Sequence, residues 1–156
     1  MRFKISSLIL LLLLLFSPCF SQNKNDLDEM INQSIQGVVE KHNAYIKRGT
    51  MAQEEFDKYY ILNDYLPRNF IISDENKNLK QKILHLSEIP YEELKKRVVC
   101  LHVGAVLNED KIEIRITKVS VKAEKKRLHS DVSDTYRFAY KYFYDNQKWE
   151  FVDNSK

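Results

Sequence analysis

The sequence contains few of the residues that usually break up or cross-link a chain. Its 156 residues include three glycines, three prolines and two cysteines. Because glycine and proline mark turns and linkers, their scarcity favours a single domain after the N-terminal segment. The sequence also has no glycine-rich phosphate loop, no nucleophile elbow and no HExxH motif, so it gives no support to the enzyme classes that those motifs identify.

The N-terminal segment is typical of a secretory signal peptide. Two basic residues in the first four precede an unbroken apolar run over residues 8–16, and small residues follow. The run is shorter than the roughly 20 residues that span a bilayer. We therefore predict a signal peptide over 1–21, cleaved after Ser21, and a single exported domain over 22–156. Its predicted location is periplasmic or secreted, with no membrane contact after cleavage.

Removal of the signal peptide changes the cysteine argument. It leaves 156 minus 21, or 135, residues with Cys100 as their one cysteine. No internal disulfide is then possible, and a chain of this length can bury a core without one. Since Cys100 lies in the apolar run VVCLHV, we predict a buried, unreactive thiol. A retained membrane anchor and a lipid on Cys19 are the alternatives to cleavage.

Removal of the signal peptide also lowers the net charge. The whole chain has 25 basic and 22 acidic residues, and the segment 1–21 contains two of the bases and no acid. The difference of 23 and 22 leaves a net charge of +1, whereas nucleic-acid binders show a clear basic excess. We therefore predict no nucleic-acid partner. The basic segment 122–129 is predicted as a solvated loop, with contact to phosphate or to an anionic surface as the alternative.

Helices are predicted in the first half of the domain. Apolar residues recur every three or four positions over 26–48, which predicts an amphipathic helix with Asn25 as its N-cap and Gly49 as its stop. A second helix is predicted over 50–60 and a third over 73–86, with a short strand over 68–73 between them. The apolar sides of the two shorter helices are Phe56, Tyr59, Tyr60, Leu79, Ile83 and Leu86.

A further turn of helix is predicted after Pro90, and strands are predicted from Arg97 onward, where the apolar period becomes two. The alternation over 112–116 slips by one position over 119–123. A β-bulge near residues 117–118 would keep both halves of this strand on one face. The predicted register pairs Leu107 with Ile112, Val103 with Ile116, Leu101 with Val119 and Val99 with Val121.

The stretch YRFAYKYFYDNQKWEF, residues 136–151, predicts the last hairpin. Its first strand has an aromatic residue at every second position from Tyr136 to Tyr144. A two-residue turn at Asn146 and Gln147 would pair Tyr144 with Trp149, and Tyr142 with Phe151. The elements together predict an α+β fold, with N-terminal helices packed on one side of a curved antiparallel sheet.

This order of elements resembles the NTF2-like superfamily. The ending YKYFYDNQKWEFVD is similar to the last hairpin of that superfamily, although Asn146 and Gln147 replace the turn glycine common there. The resemblance covers residues 26–153 and implies a cone-like NTF2/cystatin-like fold with a pocket between the helices and the concave face of the sheet. Because the superfamily includes isomerases, dehydratases, ligand binders and assembly domains, the resemblance implies no particular activity.

The tyrosine row is the candidate ligand site. A core wall explains its alternation, but a buried phenol without a hydrogen bond costs about 1–3 kcal/mol, a cost that phenylalanine would avoid. We therefore predict that part of the row lines a pocket. Arg137 and Lys141 point to the other face, which argues against a base-stacking platform. The predicted pocket residues are Tyr136, Phe138, Tyr140, Tyr142 and Trp149.

The leading hypothesis is a non-catalytic exported domain that binds a small molecule or a protein partner, with no cofactor and no metal. Cys100 and His102 share one side of a strand, but a structural zinc site needs four ligands and the sequence offers no second pair. The first alternative is a small isomerase or hydro-lyase that uses acid–base chemistry in the same pocket, with Asp153 or His42 as the candidate group. His42 is otherwise predicted to be a hydrogen-bonded core histidine.

The second alternative is a homodimer formed through the outer face of the sheet. That face is unusually apolar for a solvated side. Its residues are Val98, Cys100, His102 and Val106.

Overall fold

The computed structural model describes residues 24–52, 58–77, 82–108, 110–125 and 127–152. The fold is α+β, with one long helix on a six-stranded mixed sheet. The predicted signal peptide over 1–21 and Asp153 lie outside the described residues. Within them, no helix has both the length and the apolar character that crossing a bilayer requires.

The long helix, α1, spans Lys24–Lys47 and confirms the first predicted helix to within two residues. Asn25 lies inside α1 rather than at its N-cap. The helix ends as predicted at Gly49, whose φ of 70° places it in the left-handed region. The Gly49 N–H donates to the Ile46 carbonyl at 2.9 Å and the Thr50 N–H to the Tyr45 carbonyl at 3.0 Å. This paired arrangement is a Schellman C-cap.

The sheet has the strand order β2-β1-β3-β4-β5-β6. β1 pairs in parallel with β2 and β3, and the remaining neighbours are antiparallel. Two short helices and two 3-10 turns connect the N-terminal strands. The strands are β1 Tyr60–Leu62, β2 Lys82–Leu84, β3 Val98–Asn108, β4 Lys111–Glu124, β5 Arg127–Phe143 and β6 Lys148–Val152. The short helices are α2 Asp74–Lys77 and α3 Tyr91–Lys95.

The predictions for residues 50–86 are wrong in most details. β1 occupies the end of the predicted second helix, and residues 53–57 of that prediction lie outside the described residues. Residues 68–73 form no strand. Of the predicted third helix, residues 74–77 form the single turn α2, residues 78–81 lie outside the described residues, and Ile83 lies in β2. A short, fully buried apolar run cannot be assigned to helix or strand by its periodicity. The turn of helix after Pro90 is confirmed as α3.

The predicted bulge between β3 and β4 is also wrong. Leu107 pairs with Ile112 and Val103 with Ile116 as predicted, but the ladder then continues without a break. Leu101 therefore faces Lys118, and Val119 faces Cys100. The irregularity lies one strand further on, where β5 inserts Ser133 between the partners of Lys118 and Val119.

Two cores on opposite faces of the sheet explain the slip in the apolar pattern. The first core lies between α1 and the face of the sheet that includes Leu101, Ile114 and Ile116. The second core lies on the other face, where Leu94 of α3 packs with residues of β1, β3 and β4. The helices therefore do not all cover one side. The second core consists of Tyr60, Leu62, Ile89, Leu94, Val98, Cys100, Val121 and Ala123.

The second core occupies part of the outer face through which we predicted a homodimer, and that dimer stays a prediction. Val98 and Cys100 are buried beneath α3, so they are not available to a second chain. Burial of strands on both faces produces near-continuous apolar runs such as VVCLHV. The buried thiol that we predicted from this run is confirmed, and burial raises the pKa of Cys100 to about 11.

The last hairpin pairs two residues away from the predicted register. Tyr142 faces Trp149 and Tyr140 faces Phe151, because residues 144–147 form a four-residue turn. A shift of two residues preserves the face on which each side chain lies. Tyr144 consequently leaves the ladder and is 82% exposed.

Candidate functional site

The centre of the tyrosine row is a core wall. Tyr140 is buried, and its hydroxyl lies 3.0 Å from both the Met30 carbonyl oxygen and Ser34 Oγ of α1. Ser34 Oγ in turn lies 2.7 Å from the same carbonyl oxygen. The hydrogen-bond partner that a buried phenol requires is therefore provided by the helix, and the tyrosine at this position needs no ligand.

Tyr136 is likewise enclosed. Its ring lies 5.9 Å from that of His42, and burial, followed by the charge of Asp134 and a hydrogen bond to it, raises the pKa of its phenol. His42 is the predicted core histidine: its Nδ1 lies 2.8 Å from the Val38 carbonyl oxygen, and its ring meets that of Tyr59 edge-on at 5.7 Å. Neither residue reaches the open part of the surface described next.

An open depression of about 970 Å³ borders the solvent-facing side of α1. We call it the α1 groove. Phe138 and Tyr140 of the predicted site line it, together with Phe151 of β6. The ring of Phe151 lies 5.7 Å from that of Tyr140 and 6.3 Å from that of Phe138. Phe151 is 55% exposed, so its ring is the part of this aromatic wall that a ligand can reach, while Phe138 and Tyr140 are buried behind it.

The opposite flank of the α1 groove is held by a hydrogen-bonded asparagine. Asn32 donates from Nδ2 to the Ile71 carbonyl at 3.0 Å and accepts at Oδ1 from the Ser73 N–H at 2.7 Å. Asn76 donates to the Asn32 carbonyl at 2.8 Å. These bonds fix residues 71–76 against α1 and keep the exposed side chain of Ile71 at the groove.

The charged residues at the α1 groove are mostly acidic. Glu29 and Glu40 of α1 line it with Glu75, and Lys41 is the one basic residue among its described lining residues. Lys41 already faces the sheet, with Nζ 5.3 Å from the ring centre of Tyr136 and 5.8 Å from that of Phe138. The geometry therefore favours a neutral or cationic ligand over an anionic one.

Tyr142 and Trp149, the other two predicted pocket residues, meet at the far end of the hairpin. Their rings lie 5.4 Å apart in an edge-on arrangement, and Tyr144 covers Tyr142 at 5.1 Å. Trp149 lines a smaller depression beside Asp26. The structure therefore divides the five predicted site residues three ways. Tyr136 is buried away from the α1 groove, Phe138 and Tyr140 are buried residues that line it, and Tyr142 and Trp149 form this terminal cluster.

The sequence contained a signal for Phe151 but little for the rest of the α1 groove. Phe151 was predicted only as a cross-strand partner, and its place beside Tyr140 follows from the corrected register. The helix residues Gln33, Gln36 and Glu40 look like an ordinary solvated face, because nothing in their spacing shows that residues 71–76 lie next to them.

The remaining histidines lie away from the α1 groove. His85 and His129 are exposed, and His85 Nδ1 lies 3.4 Å from an Asp64 carboxylate oxygen. His102 lies against the ring of Tyr65 at 4.5 Å. Within the described residues, no three histidine, cysteine, aspartate or glutamate side chains form a group that could hold a metal ion. The segment 122–129 is not a loop, since its described residues belong to β4 and β5 on either side of a turn at Lys125.

No known family, curated protein or solved structure matches this chain. The resemblance to the NTF2-like superfamily therefore stays a prediction, as does export. The acid–base hypothesis also stays a prediction: Asp153 lies outside the described residues, and His42 is buried away from the α1 groove.

Proposed function

We propose that the protein is a non-catalytic binding domain whose α1 groove holds a neutral or cationic ligand with an aromatic or aliphatic body. The observation that supports this most directly is the exposed ring of Phe151, backed by the buried rings of Phe138 and Tyr140, beside a mainly acidic rim. Ligand sites are typically concave and apolar, with a few polar groups that fix orientation. A small molecule fits this description, and so does a side chain of a protein partner.

The proposal depends most on Phe151, whose ring is exposed. Buried aromatic residues in this wall could be retained for stability alone, but an aromatic side chain that is half exposed contributes less to the core. Its neighbours Phe138 and Tyr140 provide a rigid surface behind it. A ligand that covered Phe151 would remove apolar surface from water without any rearrangement of the fold.

A matched pair of fluorescent probes tests the proposal. Phenylnaphthylamine is neutral, and anilinonaphthalenesulfonate has the same ring system with a negative charge. We expect the neutral probe to bind more tightly, and Phe151→Ser to weaken its binding by roughly tenfold, as lost apolar burial predicts. The control is Leu107→Ser, which removes a 73% exposed apolar side chain that does not line the α1 groove.

A second variant tests the predicted preference for a neutral over an anionic probe. Glu40→Gln should narrow the difference between the two probes, because it removes a rim carboxylate and keeps the side-chain shape. Equal losses in Phe151→Ser and Leu107→Ser would show that the probes bind elsewhere, and stronger binding of the sulfonate would contradict the proposed ligand charge.

We further propose that the sheet curves around α1 as a cone, as the resemblance to the NTF2-like superfamily implies. The support is that α1 lies across the face formed by β3, β4 and β5, with its apolar stripe in the first core. A crystal structure would measure this curvature, and a flat sheet would contradict the cone.

A further inference from the structure

The first half of β5 is an open edge of the sheet. β6 pairs only with residues 139–143 of β5, while β4 pairs with β5 along most of its length. All nine residues from Arg127 to Thr135 are exposed, and no other described strand pairs with them. An edge of this kind presents a row of unpaired backbone N–H and C=O groups to any strand that approaches it.

The open edge also has apolar side chains on one face. Leu128 faces Ala123 across the ladder, and Val132 faces Val119. Ala123 is part of the second core and Val119 packs against it, so Leu128 and Val132 extend this face of the sheet outwards. They are 54% and 69% exposed, respectively.

The sequence of the edge is complementary to itself in one antiparallel register. A two-fold axis through Ser130 places Leu128 of one copy opposite Val132 of the other, and His129 opposite Asp131. Each pair occurs twice by symmetry. The apolar pairs lie on the face of the second core, and the His–Asp pairs lie on the opposite face. Cross-strand pairs of both kinds stabilise a sheet.

Neighbouring registers lack this complementarity. An axis through Asp131 sets two carboxylates directly against each other, and an axis through His129 does the same with two imidazoles. The regular run also ends at Val132, because Ser133 is the inserted residue that interrupts the ladder. Charges and bulges usually protect an edge from pairing. Here the bulge leaves residues 128–132 regular, and their charges match in the register centred on Ser130.

We propose that two copies of this chain associate through antiparallel pairing of β5, centred on Ser130, to form a continuous twelve-stranded sheet. Five paired residues in each copy make a small interface, so the dimer is transient, with a dissociation constant on the order of 100 µM. The surface differs from the outer face that the sequence suggested, and it leaves the α1 groove open. Ligand binding at the groove and dimer formation can therefore fail independently.

Cross-linking at the axis tests the register. Ser130→Cys places two thiols opposite each other at a Cα separation of about 4.5–5.5 Å, which a disulfide can span. The matched control is Thr135→Cys on the same strand. Because Ser130 and Thr135 face positions four residues apart on β4, the two copies of Thr135 would lie about 27 Å apart. Both variants also have Cys19→Ser, and the remaining Cys100 is buried. We expect mild oxidation to convert Ser130→Cys to a covalent dimer at least tenfold faster than Thr135→Cys, and equal rates would overturn the register.

Exchanging the charges of His129 and Asp131 tests the β5 pairing without introducing a covalent bond. Asp131→Lys should abolish the concentration-dependent rise in mass seen by sedimentation between about 10 µM and 1 mM, since lysine would then face His129. His129→Glu combined with Asp131→Lys should restore it. Asp131 also lies 3.5 Å from Arg97 in its own chain, so unfolding of each variant is measured in parallel. A wild-type protein that stays monomeric throughout this range, or a double variant that fails to recover although it is folded, would overturn the proposal.

Discussion

The hydroxyl of Tyr140 joins the middle of β5 to α1. Tyr140→Phe would leave the Met30 carbonyl oxygen with Ser34 alone, and we expect the free energy of unfolding to fall by about 1–2 kcal/mol. Urea unfolding measures the change. Tyr144→Phe removes an exposed hydroxyl from the same hairpin and should have no effect. Equal stabilities of the two variants would show that the hydrogen bond of the Tyr140 hydroxyl does not stabilise the fold.

Tyr60 is expected to make the protein sensitive to alkaline pH. Its hydrogen bond to Glu93, together with burial, raises its pKa to about 12. Because the folded pKa lies above the unfolded value of about 10, this contribution to stability is complete below pH 10 and is lost as the pH rises through 12. The free energy of unfolding should therefore fall over this window.

Tyr60→Phe should make the fall in the free energy of unfolding between pH 10 and pH 12 shallower. Part of the fall that remains is due to Tyr136, because burial also raises the pKa of its phenol. The exposed Tyr65→Phe is the control. If Tyr60→Phe and wild type lose stability in parallel from pH 10 to pH 12, the hydrogen bond to Glu93 does not perturb the titration.

Close contact between α1 and β5 makes Gly37 necessary. An ideal Cβ on this residue would lie 2.6 Å from Cε1 of Phe138, whose ring is buried against the helix. Alanine favours a helix by about 1 kcal/mol over glycine, but overpacking costs about 1–3 kcal/mol. We expect Gly37→Ala to destabilise the protein, as measured by thermal or urea unfolding.

The effect of Gly37→Ala on stability should reverse when the side chain at position 138 is made smaller. In a Phe138→Leu background the clash disappears, and Gly37→Ala should then stabilise the protein. A stabilising effect of Gly37→Ala in the wild-type background would instead show that the ring moves aside at little cost.

The periodicity of the sequence was sufficient for α1, for the β3–β4 turn and for the four C-terminal strands. It could not distinguish a bulge from a change of buried face, because both shift the apolar residues by one position. Val119 and Val121 were therefore assigned to the first core, although they face the second. β1 was missed for a related reason, since Tyr59, Tyr60, Ile61 and Leu62 are all buried and show no alternation.

The candidate site was predictable only in part. The parity of the tyrosine row correctly placed Phe138 and Tyr140 on one face. Which hydroxyls are satisfied inside the core depends on the helix residue opposite each one, such as Ser34 opposite Tyr140, and sequence spacing does not show this. The α1 groove likewise depends on the long-range bonds of Asn32, which connect positions 39 to 44 residues apart.

The two cores share β1, β3 and β4, so we expect the molecule to unfold as one unit. Leu94→Ala, in the second core, should lower the free energy of unfolding by about 2–4 kcal/mol. The single tryptophan, Trp149, packs against the first core and reports on it by fluorescence.

Trp149 fluorescence and far-UV circular dichroism should therefore give coincident urea transitions in Leu94→Ala, with an unchanged m-value. Leu107→Ala, at an exposed position, should leave the midpoint unchanged. Separate transitions by the two probes would show that the second core unfolds on its own.

The contact between Ser34 and Tyr140 spans 106 residues of sequence. During synthesis α1 is made early, yet most of the surface that covers its apolar stripe belongs to strands made last. The hairpins of β3–β6 form by short loop closures. The contacts of α1 and β1 with these strands are long-range and form only after the hairpins, so the helix docks late in folding. Until then a newly made chain exposes an amphipathic helix without a partner, and this interval is when the protein is most open to aggregation or to capture by a chaperone.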